Sequence, residues 1–293
     1  MSRYITISGV FFKRSIPVIL LATVTLSSAF LQNAVGQPEV DTLPWETVRM
    51  ETGVYWKHYL GDELYDSKQS INLIEVWLDS SNVRYQVAFN ADSLHQTSRF
   101  AKHNKAIAAV NGSFFNREGG NPIPFLKIDG RVLSEGVARR DLYIDNGGIA
   151  IADNGGLKII KKPQTGWEGI NYPTVMSSGP LLIYRGKIES FVNDPFHQNR
   201  HPRTAVALTN DNRLYLVTID GRSFQSYGMT IRELAEFLKK LGAVRAMNLD
   251  GGGSTTMWID TASRTGIVNY PSDNLEFDHA GERSISNALL IIH

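Results

Sequence analysis

The chain reads as an α+β protein, a mixed and largely antiparallel sheet with a few packed helices. Three observations predict this. Short runs rich in β-branched and aromatic residues recur between turn signals. One well-capped amphipathic helix stands out over 231–241. A strand–helix–strand order across 213–219, 231–241 and 244–249 can carry a right-handed parallel crossover. The averages agree: 42% hydrophobic and 20% charged residues exclude disorder, collagen and coiled coil, and 25 Gly with 11 Pro supply turns.

In chain order, residues 1–36 read as a signal peptide. Arg3, Lys13 and Arg14 form a positive front, 16–31 carries no charge, and Ala34-Val35-Gly36 offers small residues for cleavage. A retained anchor is the alternative, since 16–31 falls slightly short of the ~20 residues of a spanning helix. Pro17 and the Thr/Ser content favour cleavage. The protein is therefore expected to be secreted or to work in the periplasm or cell envelope, touching a membrane only if this segment stays. Residues 37–93 match no recognisable pattern and are expected to pack on a main domain of 94–293.

Strands are expected over 71–78, 83–89, 106–110, 204–209, 213–219, 244–249 and 287–292, with 181–184 and 255–259 as further candidates. Asp145-Asn146-Gly147-Gly148 and Asp153-Asn154-Gly155-Gly156 flank 149–152, and both have hairpin-turn chemistry. A short helix is expected over 97–104, with Phe100 and Ala101 inward. In the longer helix Thr230 and Glu233 form a capping box, and Ile231, Leu234, Ala235, Leu238 and Leu241 share a face. Gly242 suits the left-handed residue after its end. A parallel crossover would bring Asp220 and Asp250 to one rim of the sheet, at strand ends where ligands usually bind.

Function classes narrow by exclusion. Lys+Arg 30 against Asp+Glu 29 gives +1, so no general polyanion-binding surface and no nucleic-acid partner are expected. The absence of Cys removes disulfides, thiol nucleophiles and zinc-thiolate sites. No Walker A string and no Gly-x-Ser-x-Gly elbow occurs, and the Asp250 loop lacks EF-hand ligand spacing. No cofactor is demanded and no metal ligand set is assigned, although a divalent ion beside Asp220 and Asp250 is compatible with the sequence. His197 and His201 are four apart, but Pro195 and Pro202 argue against a helix that would pair them.

The most unusual string is Asn248-Leu249-Asp250-Gly251-Gly252-Gly253-Ser254-Thr255-Thr256. Three glycines after a strand suit a sharp turn or close approach to a ligand, and successive N–H groups there can seat an anion beside the Ser254 and Thr255 hydroxyls. The plain alternative is a hairpin loop. Asn111 and Ser113 leave the strand 106–110 above Phe114 and Phe115, as a sugar site requires or as a core-filling turn does. Arg203 at a strand start can grip phosphate or carboxylate bidentately, or serve as a structural ion-pair partner; Arg283 carries the same ambiguity. Ser178-Gly179 precedes another strand, as rim groups or as an ordinary turn.

Together these strings resemble the phosphodiester glycosidase family. The resemblance rests on Ala109-Val110-Asn111-Gly112-Ser113-Phe114-Phe115, Ser178-Gly179-Pro180, Pro202-Arg203-Thr204-Ala205, Asp220-Gly221-Arg222 and Gly228 to Ala235. It continues through Asn248 to Thr255, Val268-Asn269-Tyr270-Pro271-Ser272-Asp273 and Glu282-Arg283, and spans about 94–292. Ser113 stands where the family has glycine.

The resemblance implies hydrolysis of a sugar C1–O bond with a phosphomonoester as leaving group. It implies phosphate binding by Arg203, Gly251, Gly252, Gly253 and Ser254, and catalysis by Asp250 or Asp220. Sugar contacts would come from Asn111, Ser113, Ser178, Gly179, Asn248, Thr255 and Arg283. The partner is then a carbohydrate or sugar phosphodiester. Two other classes use the same pocket: a non-catalytic envelope binder of glycan or sugar phosphate, and a hydrolase of phosphate-free glycans.

Overall fold

The computed structural model describes residues 40–136, 143–260 and 262–293. The expected signal peptide lies outside the described residues. Those that are described belong to one compact unit, Gln37–His293.

Its spine is an eight-stranded sheet. In spatial order the strands are Glu46–Glu51, Val54–Gly61, Gln69–Trp77, Arg213–Ile219, Arg203–Thr209, Ala243–Asn248, Leu181–Tyr184 and Lys187–Ile188. Every neighbouring pair is antiparallel. The segment 37–93, for which the sequence suggested no role, thus supplies whole strands of this sheet and, through Arg84–Phe89, an edge of the next.

Two smaller sheets cover one face. A five-stranded sheet runs Leu157–Lys161, Gly147–Ile151, Thr174–Ser178, Phe125–Ile128, Arg131–Glu135. A four-stranded one runs Met257–Ile259, Ala108–Asn111, Asn287–Ile292, Arg84–Phe89. Alternation explains the packing, because successive side chains on a strand point to opposite faces. Ile74, Val206, Leu216 and Met247 meet Val110, Ile149 and Leu289 between the sheets. Ala205, Ala207, Tyr215 and Val217 point the other way, onto the helix Ile231–Lys240.

That helix starts as its sequence predicts. Thr230 Oγ1 accepts the Glu233 N–H at 3.1 Å, and Glu233 Oε2 accepts the Thr230 N–H at 2.9 Å. Gly242 beyond its end is left-handed, at φ +86°. The shorter helix is Thr97–His103, with Phe100 and Ala101 buried on the outer face of the four-stranded sheet.

One turn expectation is corrected. Asp153-Asn154-Gly155-Gly156 does form the hairpin between Gly147–Ile151 and Leu157–Lys161, but Gly147 and Gly148 lie inside a strand. A β-carbon on Gly148 would come within 2.8 Å of the Trp167 ring, so the residue is small to admit an indole. Asp145 ahead of it accepts the Trp167 Nε1–H at 2.9 Å and hydrogen-bonds Ser177 and Lys162.

The strands Arg213–Ile219 and Ala243–Asn248 run parallel to each other, with the antiparallel Arg203–Thr209 between them. Asp220, Asp250 and the Pro202-Arg203 start therefore meet at one rim, as the crossover predicts.

Candidate active site

The loop after Ala243–Asn248 turns through a single 3₁₀ segment, Gly252–Ser254. Its amides are largely used within the protein. The Gly251 N–H goes to Asp250 Oδ1 at 2.9 Å, Gly252 N–H to the Pro202 carbonyl at 2.9 Å, and Ser254 and Thr255 N–H to the Gly251 and Gly252 carbonyls at 3.2 Å each. The expected row of bare amides is not presented. The glycines serve space instead. A β-carbon on Gly251 would lie 2.7 Å from the Pro202 carbonyl oxygen, one on Gly252 would lie 2.9 Å from the Arg222 guanidinium, and one on Gly253 would collide with Arg283. Gly252 is also left-handed, at φ +59°.

Asp250 is held from behind. Its N–H donates to the Gly112 carbonyl at 2.9 Å, and its own carbonyl accepts Asn111 Nδ2 at 2.7 Å. Asn111 Oδ1 accepts the Thr204 hydroxyl at 2.7 Å and the Thr256 N–H at 3.1 Å. Asn111 is thus a buried clamp joining three segments. Ser113 is likewise tied to Asn287, through its N–H at 2.8 Å and its hydroxyl at 3.1 Å. Asn248 Nδ2 donates to the Gly179 carbonyl at 2.9 Å, while Asn248 Oδ1 and the Ser178 and Thr255 hydroxyls have no hydrogen-bond partner among the described residues. Beside this clamp Phe114 packs edge-on to Phe196 at 6.1 Å, and Tyr143 stacks on Phe196 at 4.8 Å.

The two rim carboxylates differ in access. Asp220 is 0% exposed. Its Oδ2 accepts the Ser70 hydroxyl at 2.7 Å, and its Oδ1 accepts Asn269 Nδ2 and the Tyr270 N–H, both at 2.9 Å. Asp250 is partly exposed. Loss of water pushes both up to about 6: hydrogen bonds from Ser70, Asn269 and Tyr270 oppose this at Asp220, and at Asp250 Ser254, the Gly251 N–H and the charges of Arg283 and Arg117 do.

Three arginines, Arg117, Arg222 and Arg283, act on Asp250 through their charge. Arg283 donates Nε to Asp273 Oδ1 at 2.8 Å, adds a second Nη2 contact to the same oxygen, and reaches the Ser254 hydroxyl from Nη1 at 3.3 Å. Arg222, in the left-handed region at φ +63°, has its pKa lowered by burial and then by Arg283. Arg222 and Arg283 repel each other, and the carboxylates of Asp273 and Asp250 offset this only in part at Arg222, whose pKa stays lowered, so the pair gains by binding an anion.

Arg203 is placed differently. It is 1% exposed, and it donates Nε to the Met229 carbonyl at 2.9 Å and Nη2 to the carbonyls of Phe196 at 2.6 Å and Asn199 at 3.1 Å. Its guanidinium lies 4.7 Å from the Phe196 ring centre, and burial pushes its pKa down to about 9. Only its backbone adjoins the glycine loop. The sequence reading passed over Arg222, Arg117 and Asp273 as site residues; Arg222 directly follows the Asp220-Gly221 turn, which was the one signal for it.

Among the described residues no group of three His, Asp or Glu side chains converges as a metal site. His197 Nδ1 contacts Asp194 at 2.6 Å. No helix among the described residues is long and apolar enough to cross a membrane.

A family model described as phosphodiester glycosidase matches residues 104–292. The chain is 28% identical over 187 residues to the mouse N-acetylglucosamine-1-phosphodiester alpha-N-acetylglucosaminidase, covering 57% of this chain and 34% of that protein. It is 25% identical over 197 residues to an uncharacterized SPbeta prophage-derived protein, YomE, of Bacillus subtilis, covering 60% of this chain and 27% of that one. The chain thus spans about a third or less of the length of these two relatives. Among solved structures, a hypothetical protein from Synechocystis superposes with TM-score 0.68 at 16% identity, over 86% of this chain and 64% of that one. The zebrafish N-acetylglucosamine-1-phosphodiester alpha-N-acetylglucosaminidase catalytic domain, auto-inhibited by its pro-peptide, gives 0.61 at 22% identity, over 88% and 91%.

Proposed function

This chain belongs to the phosphodiester glycosidase family, and from that premise we propose that it hydrolyses the C1–O bond of a sugar-1-phosphodiester, releasing free sugar and a phosphomonoester. The observation that carries this reading is Asp250, a half-buried residue at the sheet rim on whose carboxyl the charges of Arg117 and Arg283 act and which itself acts on Arg222.

A phosphomonoester has a second pKa near ~6, so it departs as an anion without the protonation an alcohol needs. Arg222 and Arg283 stabilise the charge that grows on it as the C1–O bond breaks. The electron pair of that bond leaves with the phosphate oxygen. The Asp250 carboxylate faces C1, stabilises positive charge there and accepts the proton of the water that adds to it. Asp220, closed off by Ser70, Asn269 and Tyr270, positions the loop instead of touching substrate. We infer export from residues 1–36, which read as a signal peptide, and with it a reaction outside the cytoplasm.

Purified protein assayed on sugar-1-phosphodiesters should release free sugar. Asp250→Asn should lower turnover by at least about 10³-fold while substrate still binds. Because the ionised form is the active one and Asp250 sits up at about 6, kcat/KM should fall as pH drops through that value and level off above it. A rate that instead rises below pH 6 makes Asp250 a general acid, and an Asp250→Asn variant with full turnover removes it from the reaction. Tight binding of intact diester by wild type with no release of sugar identifies a binding protein.

A further inference from the structure

Arg222, whose guanidinium lies against Gly252, also lines a cleft of about 540 Å³ together with Phe224, Tyr227, Leu275 and Phe277 among others. Phe224 is 84% exposed, Leu275 82% and Tyr227 45%. Large apolar side chains gathered at a concave surface mark a ligand groove more often than scattered exposed ones do. Leu275 also sits in the left-handed region, at φ +65°, which strains a residue with a β-carbon. Glycine or asparagine would avoid that strain, and any polar side chain would avoid the exposure. Contact with an apolar ligand offsets both. Phe277 is fixed from behind by stacking on Tyr270 at 3.9 Å, so this wall is preformed.

Three charged side chains line the cleft, Arg200, Arg222 and the exposed Glu276. Arg200 at its edge is spent on Glu233, with Nη2 to Oε1 at 2.6 Å. Among the described residues no carboxylate pairs with Arg222, whose guanidinium lies over Gly252. A phosphate held at Arg222 and Arg283 has two ester arms. One carries the sugar towards Asp250, and the other enters the space between Phe224 and Leu275.

Resting on the hydrolase reading for what occupies the phosphate position, we infer that this cleft is the leaving-group subsite, and that it takes the apolar chain of an alkyl or isoprenyl phosphate. The protein then acts on a sugar joined through phosphate to a hydrophobic alcohol. Phe224 and Leu275, the most exposed apolar side chains at this cleft, are the surface an apolar chain covers, with the rings of Tyr227 and Phe277 beside them.

The test has two readouts. Methyl phosphate and hexyl phosphate are titrated calorimetrically into the full chain, and methyl and hexyl esters of one sugar 1-phosphate are compared as substrates. Hexyl phosphate should bind at least tenfold tighter than methyl phosphate, with the same ordering in kcat/KM. In the double variant Phe224→Ser/Leu275→Asn, both preferences should shrink to about twofold. Asparagine accepts the left-handed backbone and both positions are exposed, so a circular dichroism melt should match wild type. Equal binding of the two phosphates by wild type, or a preference that survives the double variant, overturns the subsite. A hexyl preference in binding that depends on Phe224 and Leu275, with neither ester cleaved, upholds the subsite and rejects the hydrolase.

Discussion

Arg203 spends its Nε and Nη2 donors on three backbone carbonyls, of Met229, Phe196 and Asn199, and that settles what its loss should do. Arg203→Ala would leave these carbonyls unpaired in the interior and should cost about 3 kcal/mol or more, read as a lower urea midpoint. A variant that unfolds at the wild-type midpoint yet loses turnover would return Arg203 to the phosphate. Asp220 makes a different test. Its folded pKa is raised to about 6, so between about pH 4 and pH 6 the native state binds more protons than the unfolded chain, and stability falls as pH rises through that window. Asparagine fits the same partners, with its oxygen accepting from Asn269 and Tyr270 and its amide donating to Ser70. Asp220→Asn should therefore gain on wild type by about 3 kcal/mol across that window, measured by denaturant unfolding at each pH. A constant difference would show that Asp220 does not titrate there. These residue roles were only half legible. That Asp220 and Asp250 leave strand ends at one rim follows from the sequence, but access depends on Ser70, Asn269 and Tyr270, which arrive from distant segments.

Three glycines in a row gave the sequence its strongest local signal, and the element they form explains them by space instead of by free amides. Gly251, Gly252 and Gly253 each admit a neighbour, the Pro202 carbonyl, Arg222 and Arg283 in turn. Gly252→Ala adds a methyl against the Arg222 guanidinium at a positive φ. It should destabilise by about 1–2 kcal/mol and lower kcat/KM about tenfold or more by displacing that guanidinium, since misplacing a positioning group by about 1 Å can cost 10²-fold. Wild-type kinetics in this variant would separate Arg222 from phosphate binding. At the same scale, strands 213–219 and 287–292 and the helix cap at Thr230 were readable because period and capping act locally. The turn at Asp145-Asn146-Gly147-Gly148 was not, because Gly148 answers to Trp167, nineteen residues on in the chain.

Gln37–His293 forms one compact unit in which the early strands are integral. Gln69–Trp77 pairs directly with Arg213–Ile219, and Val54–Gly61 pairs with Gln69–Trp77 from the other side; Ile74 and Val76 enter one main core, and Tyr59, Ile71 and Leu73 the other. Residues 94–293 alone should therefore show no cooperative thermal transition, whereas 37–293 should melt in one step; a folded 94–293 fragment, seen by near-ultraviolet circular dichroism, would contradict this. The sequence by itself determined the α+β class, most strand positions, the capped helix and the meeting of Asp220 with Asp250 at one rim, because these depend on near-neighbour periodicity and strand order. It also contained, in the alternation of Arg203, Ala205 and Ala207 against Thr204 and Val206, the fact that Arg203 shares a face with the helix-packed alanines. Only the tertiary structure decided which face held the site, and so which arginines stand at Asp250. Side-chain direction on a strand has a period of two, but the face that meets a ligand is chosen by what the remote sheets and loops cover.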